Sequence, residues 1–121
     1  MSKWINDSAL DALLDAIAAG TILTVCSAQP TTRTEAVTTY KLADVTVDSG
    51  DFAEANGDTS GRKLTIAQQA DVPIDSDGTA THVAICDGSN LLYVTTCTSQ
   101  VLTSGNTVTV PSWKIEVSDP S

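Results

Sequence analysis

Ala80-Thr81-His82-Val83-Ala84-Ile85-Cys86-Asp87, then Gly88-Ser89, then Asn90-Leu91-Leu92-Tyr93-Val94-Thr95-Thr96-Cys97-Thr98 reads as two strands joined by a short turn. Both arms are rich in β-branched and aromatic residues, which suit a pleated, half-buried surface. The Gly-Ser pair between them is hairpin chemistry. With Gly88-Ser89 as the two-residue turn, Cys86 lies opposite Leu91 and Cys97 lies opposite Ala80. In that register the two cysteines are not disulfide partners.

The same grammar extends in both directions. Downstream, Val101-Leu102-Thr103 and Thr107 to Val110 flank Ser104-Gly105-Asn106 as a second hairpin. Pro111 lacks an amide donor and predicts an edge, bulge or bend. Trp113, Ile115 and Val117 then alternate with Lys114, Glu116 and Ser118 as a half-buried final strand. Upstream, Thr21 to Ser27 is a buried strand ended by Gln29-Pro30-Thr31-Thr32. Arg33 to Thr39 is ambiguous and can hold one helical turn. Tyr40 to Asp48 is a strand with Ala43, Val45 and Val47 on one face. Asp51 to Gly61 reads as a polar loop, Arg62 to Gln69 as a strand with Leu64 and Ile66 inward, and Asp75-Ser76-Asp77-Gly78 as a turn.

The N-terminal stretch is different. Asn6 is a good N-cap, and Asp7 and Asp11 favour the positive end of a helix dipole. Ile5 can pack on Leu10 as a hydrophobic staple. Leu10, Leu13, Leu14 and Ile17 make one apolar stripe at helical spacing, and Gly20 supplies a left-handed stop. The expected fold is therefore mainly β, an antiparallel β-sandwich or small barrel with one N-terminal α-helix. It forms a single domain over 1–121, with a capped helix in 1–20 and a β domain in 21–121.

Composition narrows the function. Hydrophobic residues make up 41% and charged residues 17%, the latter below the usual ~25%. Thr (18) and Ser (12) replace the missing charge. Such a surface can be covered by other protein without burying many ions. The net charge of −9 argues against nucleic acid, where Lys and Arg neutralise phosphate, and against an anionic membrane surface. No stretch reads as a signal peptide, and Ala9 to Ala19 is too short and too acidic to span a bilayer. Synthesis in a cytoplasm is expected, with Cys26, Cys86 and Cys97 as free, buried thiols.

Catalytic and metal patterns are sparse. His82 is the single histidine. Cys86 lies four residues on, on the same strand face but ~13 Å away at ~3.3 Å per residue, too far for a thiolate–imidazole pair. His82 reads instead as structural, its ring nitrogen bonded to a neighbour. Four Cys and His residues without a Cys-x-x-Cys do not make a zinc set. Asp75-Ser76-Asp77-Gly78 and Asp48-Ser49-Gly50-Asp51 pair carboxylates on loops but lack the EF-hand pattern, so ordinary turns are the preferred reading over calcium. Glycine spacings match no phosphate loop. The expectation is no catalytic residue, no cofactor and no metal, hence a chain that is not an enzyme.

Interface residues are the remaining candidates. Trp4 and Ile5 either cover the helix end or anchor into a neighbouring subunit, since Trp is enriched at hot spots. Arg33, Arg62 and Lys63 are rare positive points on an acidic chain. They are either solvated or paired with acidic neighbours across subunits.

One resemblance covers almost the whole chain. It is carried by Trp4-Ile5-Asn6-Asp7 with Leu10-Asp11 and Leu14, Cys26-Ser27-Ala28-Gln29-Pro30 with Thr34-Glu35-Ala36, and Ser60-Gly61-Arg62-Lys63-Leu64. Gly78-Thr79-Ala80-Thr81-His82, Leu91-Leu92-Tyr93, Thr103-Ser104-Gly105-Asn106-Thr107 and Asp119-Pro120 complete it. The set resembles small virion structural proteins of tailed bacteriophages. The resemblance implies a capsid decoration or cement-like protein that is made in the host cytoplasm, resides in the virion and clamps capsid subunits. A tail-associated or head–tail connector role is the nearest alternative, and a carbohydrate- or receptor-binding β module the next. It implies phage capsid or tail subunits as partners, and a homo-oligomer or lattice-bound state. It carries over no catalytic residue.

Overall fold

Helix α1 (Asp7–Ala18) lays Leu10, Leu14 and Ile17 into the core, with Leu14 wholly buried. Leu13 departs from the expected stripe and is 52% exposed. At 3.6 residues per turn it lies about 60° round from Leu10, on a flank that none of the other described elements covers. The helix rests mainly on the sheet described below that contains Leu64. The structure is a computed structural model that describes residues 7–58 and 61–117. The Asn6 cap and the Ile5 staple lie outside those residues. Gly20 does not take the expected left-handed conformation, which among the described glycines belongs to Gly61 and Gly105. Its N–H instead donates to the Ile17 carbonyl at 3.0 Å. A glycine is needed there because a Cβ would collide with the Ile85 side chain.

Among the described residues nine strands follow: β1 (Ile22–Cys26), β2 (Lys41–Thr46), β3 (Phe52–Asn56), β4 (Arg62–Ile66), β5 (Gln69–Pro73), β6 (Gly78–Cys86), β7 (Leu91–Leu102), β8 (Thr107–Val110) and β9 (Trp113–Val117). They form a four-stranded sheet in the order β2-β1-β6-β7, a three-stranded sheet β3-β4-β9 and a two-stranded ribbon β5-β8, all antiparallel. The fold is mainly β with one N-terminal helix, of the small sandwich or barrel-like kind. An isolated bridge between Ala43 and Ile74 joins the ribbon to β2.

One core unites the layers. Leu23, Val25, Val83 and Ile85 from the large sheet meet Leu64, Ile66 and Ile115 from the small sheet, with Val72, Val108 and Val110 from the ribbon and Leu14 and Ile17 from α1. The other face of the large sheet is covered by a π-helical turn, Glu35–Thr39, whose Ala36 packs on Ala84 and Cys86. The helical turn anticipated within Arg33–Thr39 is thus real, and it has a packing reason. Beneath it the Cys26 thiol donates to the Ala36 carbonyl at 3.5 Å.

Three expectations are corrected. Asp51 to Gly61 is not all loop, because β3 occupies Phe52–Asn56 and pairs with β4 across Gly57 and Gly61. Its two alanines face solvent, so its sequence pattern is faint. The second hairpin also does not form. The turn at Ser104-Gly105-Asn106 is present, with Gly105 at φ 91° and an Asn106–Thr103 backbone bond of 3.1 Å. However, Leu102 stays paired with Gly78 while β8 pairs with β5, a strand the sequence pattern conceals. Burying Val108 and Val110 beside Val72 outweighs the local turn signal. Finally, Cys97 is not opposite Ala80. Leu92 bulges between two paired residues, and Cys97, Thr98 and Ser99 together stand against Thr81, so Ala80 faces Gln100. Cys86 does face Leu91, and among the described residues all three cysteines are free.

Candidate interaction surface

The carboxylates of the acid-rich turns are engaged by backbone amides and by Lys41. Asp48 and Asp51 form a reciprocal cap on a 3₁₀ turn (Ser49–Asp51): Asp48 Oδ1 accepts from Gly50 N at 2.8 Å, and Asp51 Oδ2 accepts from Asp48 N at 2.9 Å. Asp77 Oδ1 accepts from Ser104 N at 2.6 Å. Asp87 Oδ1 accepts from Ser89 N and Asn90 N at 2.7 and 2.6 Å, which closes the β6–β7 turn. Those two bonds hold the Asp87 carboxyl below its ordinary range. His82 Nδ1 lies 2.8 Å from Thr81 Oγ1, the neighbour contact expected of a structural histidine. No group of His, Cys, Asp and Glu among the described residues is placed to hold a metal ion.

The structure puts the candidate cations in three separate places, each engaged within the chain. Arg33 Nε donates to the Asp87 carbonyl at 2.7 Å and straps the π-helical turn to the β6–β7 turn. Arg62 reaches the other way, to Asp11 Oδ1 on α1 at 2.7 Å and Asn56 Oδ1 at 2.8 Å. Lys63, on the opposite face of β4, shares Asp58 with Lys114, both at 2.7 Å. Those two ammonium groups push the Asp58 carboxyl down to about 2. Lys41 pairs with Asp75 and Asp44 at 3.2 and 3.5 Å. Trp4 and Ile5 lie outside the described residues.

Behind Arg62 lies a crowded acidic contact. Glu54 on β3 meets Asp15 on α1, with Asp11 nearby. The hydrogen bond to Asp15 comes first, then burial and the charges of Asp15 and Asp11; together they raise the Glu54 carboxyl to about 7 against the pull of Arg62. Glu54 Oε1 is sealed from solvent without a partner. The contact joins the helix to the small sheet.

No charged residue occurs between Asp87 and Lys114, in a chain with a net charge of −9. The fold displays this run as β7, the β8 ribbon strand and the corner at Pro111. Two adjoining hollows, of about 200 and 290 Å³, lie between β7 and that corner. Both are lined by Val83, Cys97, Thr98, Val110 and Pro111. Trp113 closes one end, its Nε1 sealed from solvent and unpartnered. Val101 on β7 is 76% exposed, the most exposed large apolar side chain described. The signal was legible as a gap in the charge pattern, although only the fold reveals it as one surface. No family model, curated protein or solved structure matches the chain.

Proposed function

We propose that this chain is a non-enzymatic virion structural protein of a tailed bacteriophage, of the capsid decoration or cement kind, which binds capsid subunits through protein–protein contacts. The observation that carries the proposal is the charge-free surface from β7 to the Pro111 corner on an otherwise acidic chain. Interface cores are depleted in charge, because ions covered by a partner lose their hydration. The Thr-rich composition and the sequence resemblance support the same reading. A decoration protein gains its hold from many modest contacts repeated over a lattice, each adding area rather than chemistry.

Co-sedimentation of the purified protein with phage particles tests the proposal, comparing full capsids with isolated tails. Saturable binding to capsids at a fixed ratio to the lattice is the expected result. Binding to tails alone would replace the capsid assignment with a tail-associated one. Binding to neither would overturn the virion reading.

A further inference from the structure

Three dipeptides in this chain join an Asn or Asp to a following glycine: Asn56-Gly57, Asp77-Gly78 and Asp87-Gly88. Glycine has no side chain to screen its amide nitrogen, so that nitrogen can reach back to the side-chain carbonyl carbon one residue earlier. Attack on an Asn carbon forms a C–N bond and closes a succinimide ring. The side-chain nitrogen leaves as ammonia, with the proton that the backbone nitrogen gives up. Water then opens the ring to aspartate or isoaspartate. An ionised carboxylate is a poorer electrophile than an amide, so Asn56 is the most reactive of the three. Of the four Asn residues it alone precedes glycine.

The fold ties down both reacting groups of Asn56-Gly57. Asn56 ends β3 and is paired with Arg62 on β4. Its Oδ1 accepts from Arg62 Nη1 at 2.8 Å, and the Gly57 N–H donates to the Gly61 carbonyl at 2.9 Å. Arg62 is itself anchored, its Nε donating to Asp11 Oδ1 on α1 at 2.7 Å. We infer that Asn56 is a latent self-modification site, and that Arg62 and the Gly61 carbonyl keep its amide intact while the chain is folded. A cation on Oδ1 also steadies the oxyanion formed on attack. That aid counts only once the amide nitrogen lies about 3–3.5 Å from Cγ, and the Gly57 N–H is committed to Gly61 instead. Reaction therefore waits on local opening of the β3–β4 turn. The two Asp-Gly pairs follow the same rule, with Asp77 Oδ1 held by Ser104 N and Asp87 Oδ1 by Ser89 N and Asn90 N. Conversion at Asn56 adds a negative charge beside Arg62, and its isoaspartate form inserts an extra carbon into the main chain where β3 pairs with β4. The inference goes beyond the proposed function and holds whatever the chain binds.

Peptide mapping by mass spectrometry, after incubation at mildly alkaline pH, tests the inference on the full chain. Conversion at Asn56 should be at least tenfold slower in the folded protein than in the chain unfolded by guanidinium. Asn90 and Asn106, each followed by a bulkier residue, serve as slow internal standards. Arg62→Ala should speed conversion in the folded protein severalfold. Asp11→Ala removes the same contact to α1 but leaves Arg62 in place against Asn56, and should convert at close to the wild-type rate. Should Arg62→Ala not fold, the wild type answers by itself, since conversion and Gly57 amide exchange should rise in parallel with mild denaturant. Equal rates in the folded and unfolded chains, equal acceleration by both variants, or conversion that ignores Gly57 exchange would overturn the inference.

Discussion

Gly20 backs onto the side chain of Ile85 with no room between them for a Cβ atom. Ile85 is wholly buried on β6, so it has no free space into which to retreat. Gly20→Ala should therefore destabilise the fold by about 1–3 kcal/mol, the usual cost of overpacking a dense core. A lowered denaturant midpoint with an unchanged slope is the expected result. An unaltered midpoint would show that the helix end can shift.

Arg33 is engaged with the Asp87 carbonyl. Arg33→Ala should cost the isolated protein about 1 kcal/mol through that lost bond. The urea midpoint of the purified chain measures this. If Arg33 acted only across a subunit boundary, the isolated protein would lose nothing.

Glu54 carries a carboxyl raised to about 7 against an ordinary 4.5. A raised carboxyl binds its proton more tightly in the folded state, so its stabilising effect is present below pH 4.5 and is lost as pH rises through 7. Glu54→Gln keeps the shape and removes the ionisation. Its melting temperature should exceed the wild type's by roughly a few degrees at pH 8, with the difference shrinking towards pH 4. A difference independent of pH would exclude the raised Glu54 carboxyl.

Asp58 behaves in the opposite sense. Its carboxyl is lowered from 3.8 to about 2 by Lys114 and Lys63. The stability it lends is present above pH 3.8 and is lost as pH falls through 2. Asp58→Asn should leave Lys63 and Lys114 facing each other without a shared anion and lower the melting temperature slightly at neutral pH. Because the carboxylate is exposed, high salt should erase the difference.

The thiols should divide by burial. Cys26 and Cys86 are buried and Cys97 is partly exposed, and burial raises all three above the ordinary thiol range. A thiol reagent at neutral pH should label Cys97 slowly in the native protein and all three cysteines after unfolding. Rapid native labelling of Cys26 would contradict the packing beneath the π-helical turn.

Read alone, the sequence determined the mainly β class, the N-terminal helix, the β6–β7 turn, the inward positions of Leu64 and Ile66, and the half-buried alternation of Trp113, Ile115 and Val117. These are local properties, because periodicity and turn chemistry act over a few residues. It also contained the charge-free run before Lys114, although nothing local marks such a run as one surface. Only the tertiary structure decided that β8 pairs with β5, that β3 is a strand, that Leu13 faces outward and that Gly20 is held by Ile85. It alone placed Arg33, Arg62 and Lys63 on three different internal partners. Each of these depends on which distant side chain arrives alongside. The free energy of burying Val108, Val110 and Val72 together belongs to the assembled core, and no segment carries it by itself.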